Sequence, residues 1–312
     1  MNIVVLCKND FAGNMNNLCT AINKHTDHNA IVINSRPAGY KFPQMLSLTK
    51  QNLTEIQRKI YNADAVVFKE SHLISSEFKI DLKRLNDKPK IFLFGGRGFR
   101  REELRTETFK MYKPLPNLRW AVTTTTFLEK YPNWTWIPRC VRFNEIRAKH
   151  NYEKLKPPLI TTSPSRGSNE NSNTLNMFDI VVEELNLKKL TFQSRKIFDI
   201  NNDECLQLKA PASIFFDRVG VIYGMNSLEA GAFESAVVTE VPEFARNKLE
   251  EYGFHCPFVN VTSVKEIINA VTELLMDEEY MKSKGRECLK YVEEAHSGRE
   301  SAKRLIGLLE EM

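Results

Sequence analysis

No apolar stretch of this 312-residue chain approaches the roughly 20 residues that a bilayer-spanning helix needs. The first apolar run, Ile3-Val4-Val5-Leu6-Cys7, is only strand-sized and gives way at once to Lys8, Asn9 and Asp10, so neither a signal peptide nor an anchor is signalled. A cytoplasmic location is the expectation. The six cysteines, at 7, 19, 140, 205, 256 and 288, form no Cys-x-x-Cys pair and have no histidine at metal-ligand spacing, which excludes a legible zinc site or disulfide framework. Histidine is scarce as well, at six residues, so chemistry that rests on clustered imidazoles has little to draw on.

What is present fits a globular protein with room for two domains: 42% hydrophobic residues and a mean hydropathy of -0.38 support a substantial core. The net charge of +5 is unevenly spread. Residues 1–150 hold 25 Lys+Arg against 13 Asp+Glu, whereas residues 151–312 hold 19 against 26. The two halves therefore face different partners, the first suiting a polyanion such as nucleic acid, an anionic membrane surface, or simply solvent.

The first half alternates strand-like and helix-like segments. Asn2–Cys7, Ala30–Asn34, Ala65–Phe68 and Lys90–Phe94 read as buried strands, and Asn16–Lys24 and Leu53–Tyr61 as helices between them. That rhythm predicts a doubly wound parallel sheet with functional groups at the carboxyl ends of its strands. Residues 139–158 lack a clear period and end in Pro157-Pro158, so the interdomain connection is placed there. The rhythm then restarts, with strands at Leu159–Thr162, Leu190–Gln193, Ser213–Asp217 and Ala236–Thr239, and helices at Thr174–Leu185, Asp203–Leu208, 227–234, Val264–Leu275, Glu278–Glu294 and Arg299–Glu311. The expected domains are 1–145 and 146–296, with 297–312 left as a final helix.

The most informative segment runs from Tyr223 through Gly224, Met225, Asn226, Ser227 and Glu229 to Thr239: a glycine turn, a short helix and a buried strand. A turn at Gly224 brings backbone close to a ligand, and the helix start near Asn226 and Ser227 presents N–H groups and a positive dipole end to a diphosphate. Glu229 is placed to accept hydrogen bonds from ribose hydroxyls. Asn226 and Glu229, three apart, also form the pattern of a capping box that any soluble helix carries, and the spacing leaves both readings open.

As a whole this segment resembles the donor site of the GT-B glycosyltransferases of the glycogen-synthase and sucrose-synthase type, where a glycine loop precedes a helix reading Glu-Ala-x-Ala-x-Gly and a strand reading Pro-Val-Val. Here the sequence is Leu228-Glu229-Ala230-Gly231-Ala232-Phe233-Glu234-Ser235-Ala236-Val237-Val238, with Ser235 taken at the usual glycine and Ala236 at the proline. The resemblance gives Glu229 the ribose-binding role. The family's earlier glutamate, eight positions before, is replaced by Val221.

Further segments follow in the family's order. Lys8 to Asn14 resembles the loop under the donor phosphates, with Gly13 for close approach and Asp10 either orienting an acceptor hydroxyl or capping a helix. Phe94-Gly95-Gly96-Arg97-Gly98-Phe99-Arg100-Arg101 resembles an anion-binding loop, the alternative being a basic turn. Leu128 to Pro138 resembles the segment before the crossing into the second domain. Thr162-Ser163-Pro164-Ser165-Arg166 stands where the family holds the diphosphate, so Arg166 and Ser163 inherit that contact, although the partner lysine is missing. Lys209 precedes the donor loop and either assists a phosphate or is solvated. His72, just past a strand, is a candidate for contact with the sugar or acceptor, or an ordinary loop histidine.

The resemblance implies a GT-B fold of two Rossmann-like domains, the first binding acceptor and the second a nucleotide sugar, UDP-sugar being favoured, with transfer in the cleft between and the last helix crossing back to the first domain. The expected catalytic groups are Asp10, His72 and Arg166. The expected donor contacts are Gly13, Ser163, Arg166, Lys209, Tyr223, Gly224, Met225, Asn226, Ser227 and Glu229. No Asp-x-Asp motif is present, so metal-independent transfer is expected; no cofactor is expected either, since the nucleotide sugar is a substrate. Arg97, Arg100 and Arg101 are the acceptor candidates, with DNA bearing a hydroxymethylated base as the favoured acceptor. An envelope polysaccharide or anionic glycolipid, and a non-catalytic nucleotide-sugar or nucleic-acid binding role, are the alternatives.

Overall fold

The computed structural model describes all residues except 11–12, 37–43, 70–72, 96–101, 165–168 and 221. The chain divides into two compact units, Met1–Cys140 together with Gly298–Met312, and Val141–Ser297.

Unit 1 contains β1 (Asn2–Cys7), α1 (Asn14–His25), β2 (Asn29–Asn34), β3 (Met45–Ser47), α2 (Leu53–Asn62), β4 (Ala65–Lys69), α3 (Ile74–Glu77), β5 (Lys90–Phe94), α4 (Glu102–Tyr112), β6 (Leu118–Val122) and β7 (Thr135–Trp136). The seven strands form one parallel sheet in the order β3-β2-β1-β4-β5-β6-β7. A parallel sheet covered on both faces needs strands that are apolar throughout, and Ile3 to Cys7, Ala65 to Phe68 and Ile91 to Phe94 are all buried. One face is sealed by α1 and by the last helix of the chain, and the other by an aromatic layer in which Tyr112 packs 5.0 Å from Phe68 and 4.8 Å from Phe92.

Unit 2 contains α5 (Phe143–Lys149), β8 (Leu159–Thr162), α6 (Asn169–Leu187), β9 (Gln193–Lys196), α7 (Asn202–Lys209), β10 (Ile214–Phe216), α8 (Met225–Ala232), β11 (Ala236–Thr239), α9 (Glu243–Glu251), β12 (Val259–Asn260), α10 (Val264–Met276) and α11 (Glu278–His296). Its five parallel strands run β12-β11-β10-β8-β9. Ile160, Ile214, Phe216 and Val238 pack on one side against Phe178, Val181 and Leu185 of α6 and Ile267, Val271 and Leu274 of α10. α8 and α11 pack on each other and on β11. Helix α12 (Arg299–Glu310) then returns to unit 1, where Ala302, Leu305, Ile306, Leu308 and Leu309 join the core.

Two sequence expectations are corrected. The supposed connection 139–158 contains α5, whose two turns carry only Phe143 and Ile146 as buried apolar residues, too short a run to show a period. The strand expected at Leu190–Gln193 lies at Gln193–Lys196: β9 is a sheet edge and needs no apolar run, whereas Leu190 and Phe192 pack against the core ahead of it. The left-handed residue that ends α8 is Glu234 at φ 65, one position before the Ser235 aligned with the family's glycine. L-residues are strained there. Glu234→Gly should raise stability by about 0.5–1 kcal/mol, read as a higher urea midpoint with an unchanged slope.

Candidate functional site

In unit 2 the sheet order turns at β8, which has β9 on one side and β10 on the other. Just beyond the carboxyl ends of β8 and β10 lie Ser163 and Asp217. Ligands of open α/β sheets settle in the crevice at such a turning point. Here it is also where α8 begins.

Asp217, which the sequence reading did not single out as a site residue, organises that start. Its Oδ1 accepts the N–H of Arg218 at 2.9 Å, and its Oδ2 accepts the Ser227 hydroxyl and, at 3.4 Å, the N–H of Gly224. An acid standing directly after the apolar run Ile214-Phe215-Phe216, at the carboxyl end of a strand, is the signal that could have found it. Gly224 is the helix cap and is extended at φ -110, and the left-handed glycine of this loop is Gly220 with φ 92. What position 224 requires is space, because a Cβ there would lie 3.3 Å from the Arg218 guanidinium.

The capping-box reading of Asn226 and Glu229 does not hold: α8 has no side-chain cap, and Asn226 is its second residue. The Asn226 amide instead donates to the Ser163 carbonyl, which turns its Oδ1 towards Lys209, 3.0 Å away. Lys209 also donates to Glu229 Oε2 at 2.7 Å. Lys209 is completely buried and the Glu229 side chain is 11% exposed, so neither of the alternatives weighed for Lys209, phosphate contact or solvation, describes it. Burial opposes the Lys209 charge, but Glu229 and the neighbouring Cys205 and Asp217 hold its ammonium above the ordinary lysine range. Ser163 Oγ lies 3.1 Å from Cys205 Sγ.

Met225 and Asn226, the first two residues of α8, are half-exposed, and the first N–H groups of a helix have no partner within it. The far end of the helix is held by two cations. Arg147 donates to the Ala232 carbonyl at 2.7 Å, and Lys154 to those of Phe233 and Ala212, each at 2.6 Å. Positive charge at a helix carboxyl end is favourable; burial pushes the Lys154 ammonium down to about 7.

Tyr223 is placed differently from the donor contact expected. Its hydroxyl lies 2.6 Å from that of Tyr291 and 3.5 Å from His296 Nε2, in the interior of unit 2. A cavity of about 770 Å³ lined by Lys149, His150, Lys154, Asp203 and Gln207, among others, shares with the surroundings of α8 only Lys154, at the far end of that helix, and none of the residues at its start.

In unit 1 the sheet order turns at β1, and Asp10 and Gly13 follow that strand. The Asp10 carboxylate accepts the N–H groups of Met15 at 3.1 Å and Asn16 at 2.8 Å, so it caps α1. Burial pushes its carboxyl up, against the pull of those N–H bonds and of Lys69. Gly13, at φ 65, makes the left-handed turn into the helix. His72, Arg97, Arg100, Arg101 and Arg166 lie outside the described residues. Among the described residues no group of His, Cys, Asp and Glu is arranged to hold a metal ion, and no helix is long and apolar enough to cross a membrane.

The chain matches no family model and no curated protein. Solved structures do match it along its whole length. HepE of Anabaena in complex with UDP-glucose superposes with a TM-score of 0.68 at 10% identity, covering 100% of both chains. The fold is GT-B. Sucrose-phosphate synthase from Thermosynechococcus elongatus shares this GT-B architecture at TM-score 0.62 and 11% identity, over 100% of this chain and 98% of that one. A Listeria monocytogenes protein described as a UDP-N-acetylglucosamine 2-epimerase matches at 0.56 and 14%, over 99% and 95%. Identities this low establish the GT-B fold and leave the chemistry to be argued from the residues.

The buried pair changes what substitution at Glu229 does. Glu229→Ala strands a fully buried ammonium and should cost about 3 kcal/mol of stability, whereas Glu229→Gln, which removes the counter-charge but keeps an acceptor for Lys209, should cost less. Chemical denaturation of the two variants beside the parent measures the difference.

Proposed function

We propose that this protein is a glycosyltransferase that moves a sugar from a nucleotide-sugar donor, a UDP-sugar first, to a hydroxyl acceptor. The observation that carries this reading is the pairing, at the turn of the unit 2 sheet, of a half-exposed helix start with a carboxylate whose second oxygen takes no hydrogen bond among the described residues. The N–H groups at Met225 to Ser227 suit a diphosphate, and Glu229 suits a ribose. HepE binds UDP-glucose and shares the fold, which supports the donor class.

Transfer is proposed to be metal-independent, with the leaving diphosphate stabilised by Arg166 and by the start of α8. Retention of anomeric configuration is the expectation carried by the resemblance. Arg166→Ala should then reduce turnover more than donor affinity, because its charge acts most strongly as negative charge builds on the leaving group. Equal rates for variant and parent at saturating donor would remove Arg166 from the mechanism.

For the acceptor we propose DNA carrying a hydroxymethylated base, with transfer in the cytoplasm. What supports it is the excess of positive charge in residues 1–150, which counts the exposed Lys110, Lys113 and Arg119 and, in the sequence, the arginines at 97, 100 and 101. Incubation with labelled UDP-glucose and hydroxymethylated duplex should label the DNA, whereas an unmodified duplex offers no exocyclic alcohol. Duplex affinity should fall steeply with salt, and Arg100→Glu with Arg101→Glu should lower it and flatten the dependence. Binding without transfer would favour a binding protein. Transfer to lipid or polysaccharide extract with no DNA binding would move the acceptor to an anionic envelope component.

A further inference from the structure

Lys209 has no role in the reading above beyond pairing with Glu229, yet its burial demands a reason. Lysine is almost never fully buried, and a buried ion pair is commonly no more stabilising than apolar residues of the same volume. The pair is therefore better explained by the geometry it imposes.

That geometry is closely specified. Lys209 sits at the end of α7, with Nζ 5.3 Å from the centre of the Phe215 ring, and donates to Glu229 Oε2 and Asn226 Oδ1. The Asn226 amide cannot turn over without losing its bond to the Ser163 carbonyl, so it keeps its oxygen on the ammonium. With Oε2 taken, the Glu229 carboxylate cannot rotate freely. Among the described residues no hydrogen bond is made to its Oε1.

We propose that Lys209 is a positioning residue: by holding one oxygen of Glu229 it fixes the other where a vicinal diol can donate to it, and so makes the site select ribonucleotide over deoxyribonucleotide diphosphates. This inference rests on the ribose reading of Glu229. It adds a residue that does not touch the ligand and a discrimination that follows from its position. A carboxylate free to rotate would lose orientation towards the diol, while the helix N–H groups would still meet the phosphates.

Calorimetric titration with UDP and with its 2′-deoxy and 3′-deoxy counterparts tests it. The parent should bind UDP about tenfold more tightly than either deoxy compound, the scale of one charge-assisted hydrogen bond. Glu229→Gln and Lys209→Met should each bring the three ligands to within about threefold of one another, with affinity for the deoxy compounds little changed, and the double variant should go no further. If Lys209→Met does not fold, Asn226→Ala, which loosens the ammonium from its other side without stranding a charge, should lower the same ratio. A parent without preference, or a Glu229→Gln variant that keeps it, overturns the ribose reading itself. Preference lost in Glu229→Gln but kept in Lys209→Met, or in Asn226→Ala where the former is unfolded, overturns the Lys209 inference alone. A folded Lys209→Met that binds none of the three ligands also overturns it, since the residue would then support the whole site.

Discussion

The organisation of unit 2 depends on the burial of helix α8. From Ser227 to Ala232 every residue is buried apart from the edge of the Glu229 side chain, so the helix meets solvent chiefly at Met225 and Asn226, where the sheet order reverses. Such enclosure needs close approach from α11. A Cβ at Gly285 would fall 2.3 Å from the Glu234 carbonyl oxygen, and one at Gly231 would fall 3.0 Å from Val292. Small residues on both helices let the backbones close, and the closing of the backbones fixes the direction in which the helix start points.

A helix held this way brings its polar residues inside with it, and each has a buried partner. Ser227 is answered by Asp217, and Glu229 by Lys209. At the other end the carbonyls of Ala232 and Phe233 are answered by Arg147 and Lys154. The surroundings of α8 are thus assembled from elements far apart in sequence, namely the ends of β8 and β10, the last residue of α7, and α5 with the segment following it. A low-dielectric setting strengthens each of these contacts and makes each one costly to leave unmatched.

Much of the architecture was legible in the sequence because parallel strands buried on both faces are continuous apolar runs. Ile3 to Cys7, Ala65 to Phe68 and Ala236 to Thr239 each coincide with a strand. Elements that rely on position instead of composition were not legible. Edge strand β9 is polar, β3 and β12 are three and two residues long, and α5 shows two buried apolar positions. At the site, the glycine loop and its helix could be read, since a turn signal, a helix and an apolar strand lie in succession. The partners of that helix could not: nothing in the local spacing tells that Lys209 is enclosed, that Asn226 turns to Ser163, or that Asp217 reaches across to Ser227. Those facts belong to the three-dimensional path of the chain.

The chain enters unit 1, leaves it at Cys140 and returns at Gly298 with a helix that completes the core. Synthesis from the amino end therefore delivers all of unit 2 before the last piece of unit 1. The first sheet must wait with the face that Leu305 and Leu309 will cover still open to water, while the inserted unit can already close on itself. The order of emergence at the ribosome is thus the reverse of the order of completion, and the oldest part of the chain is the last to become a finished domain.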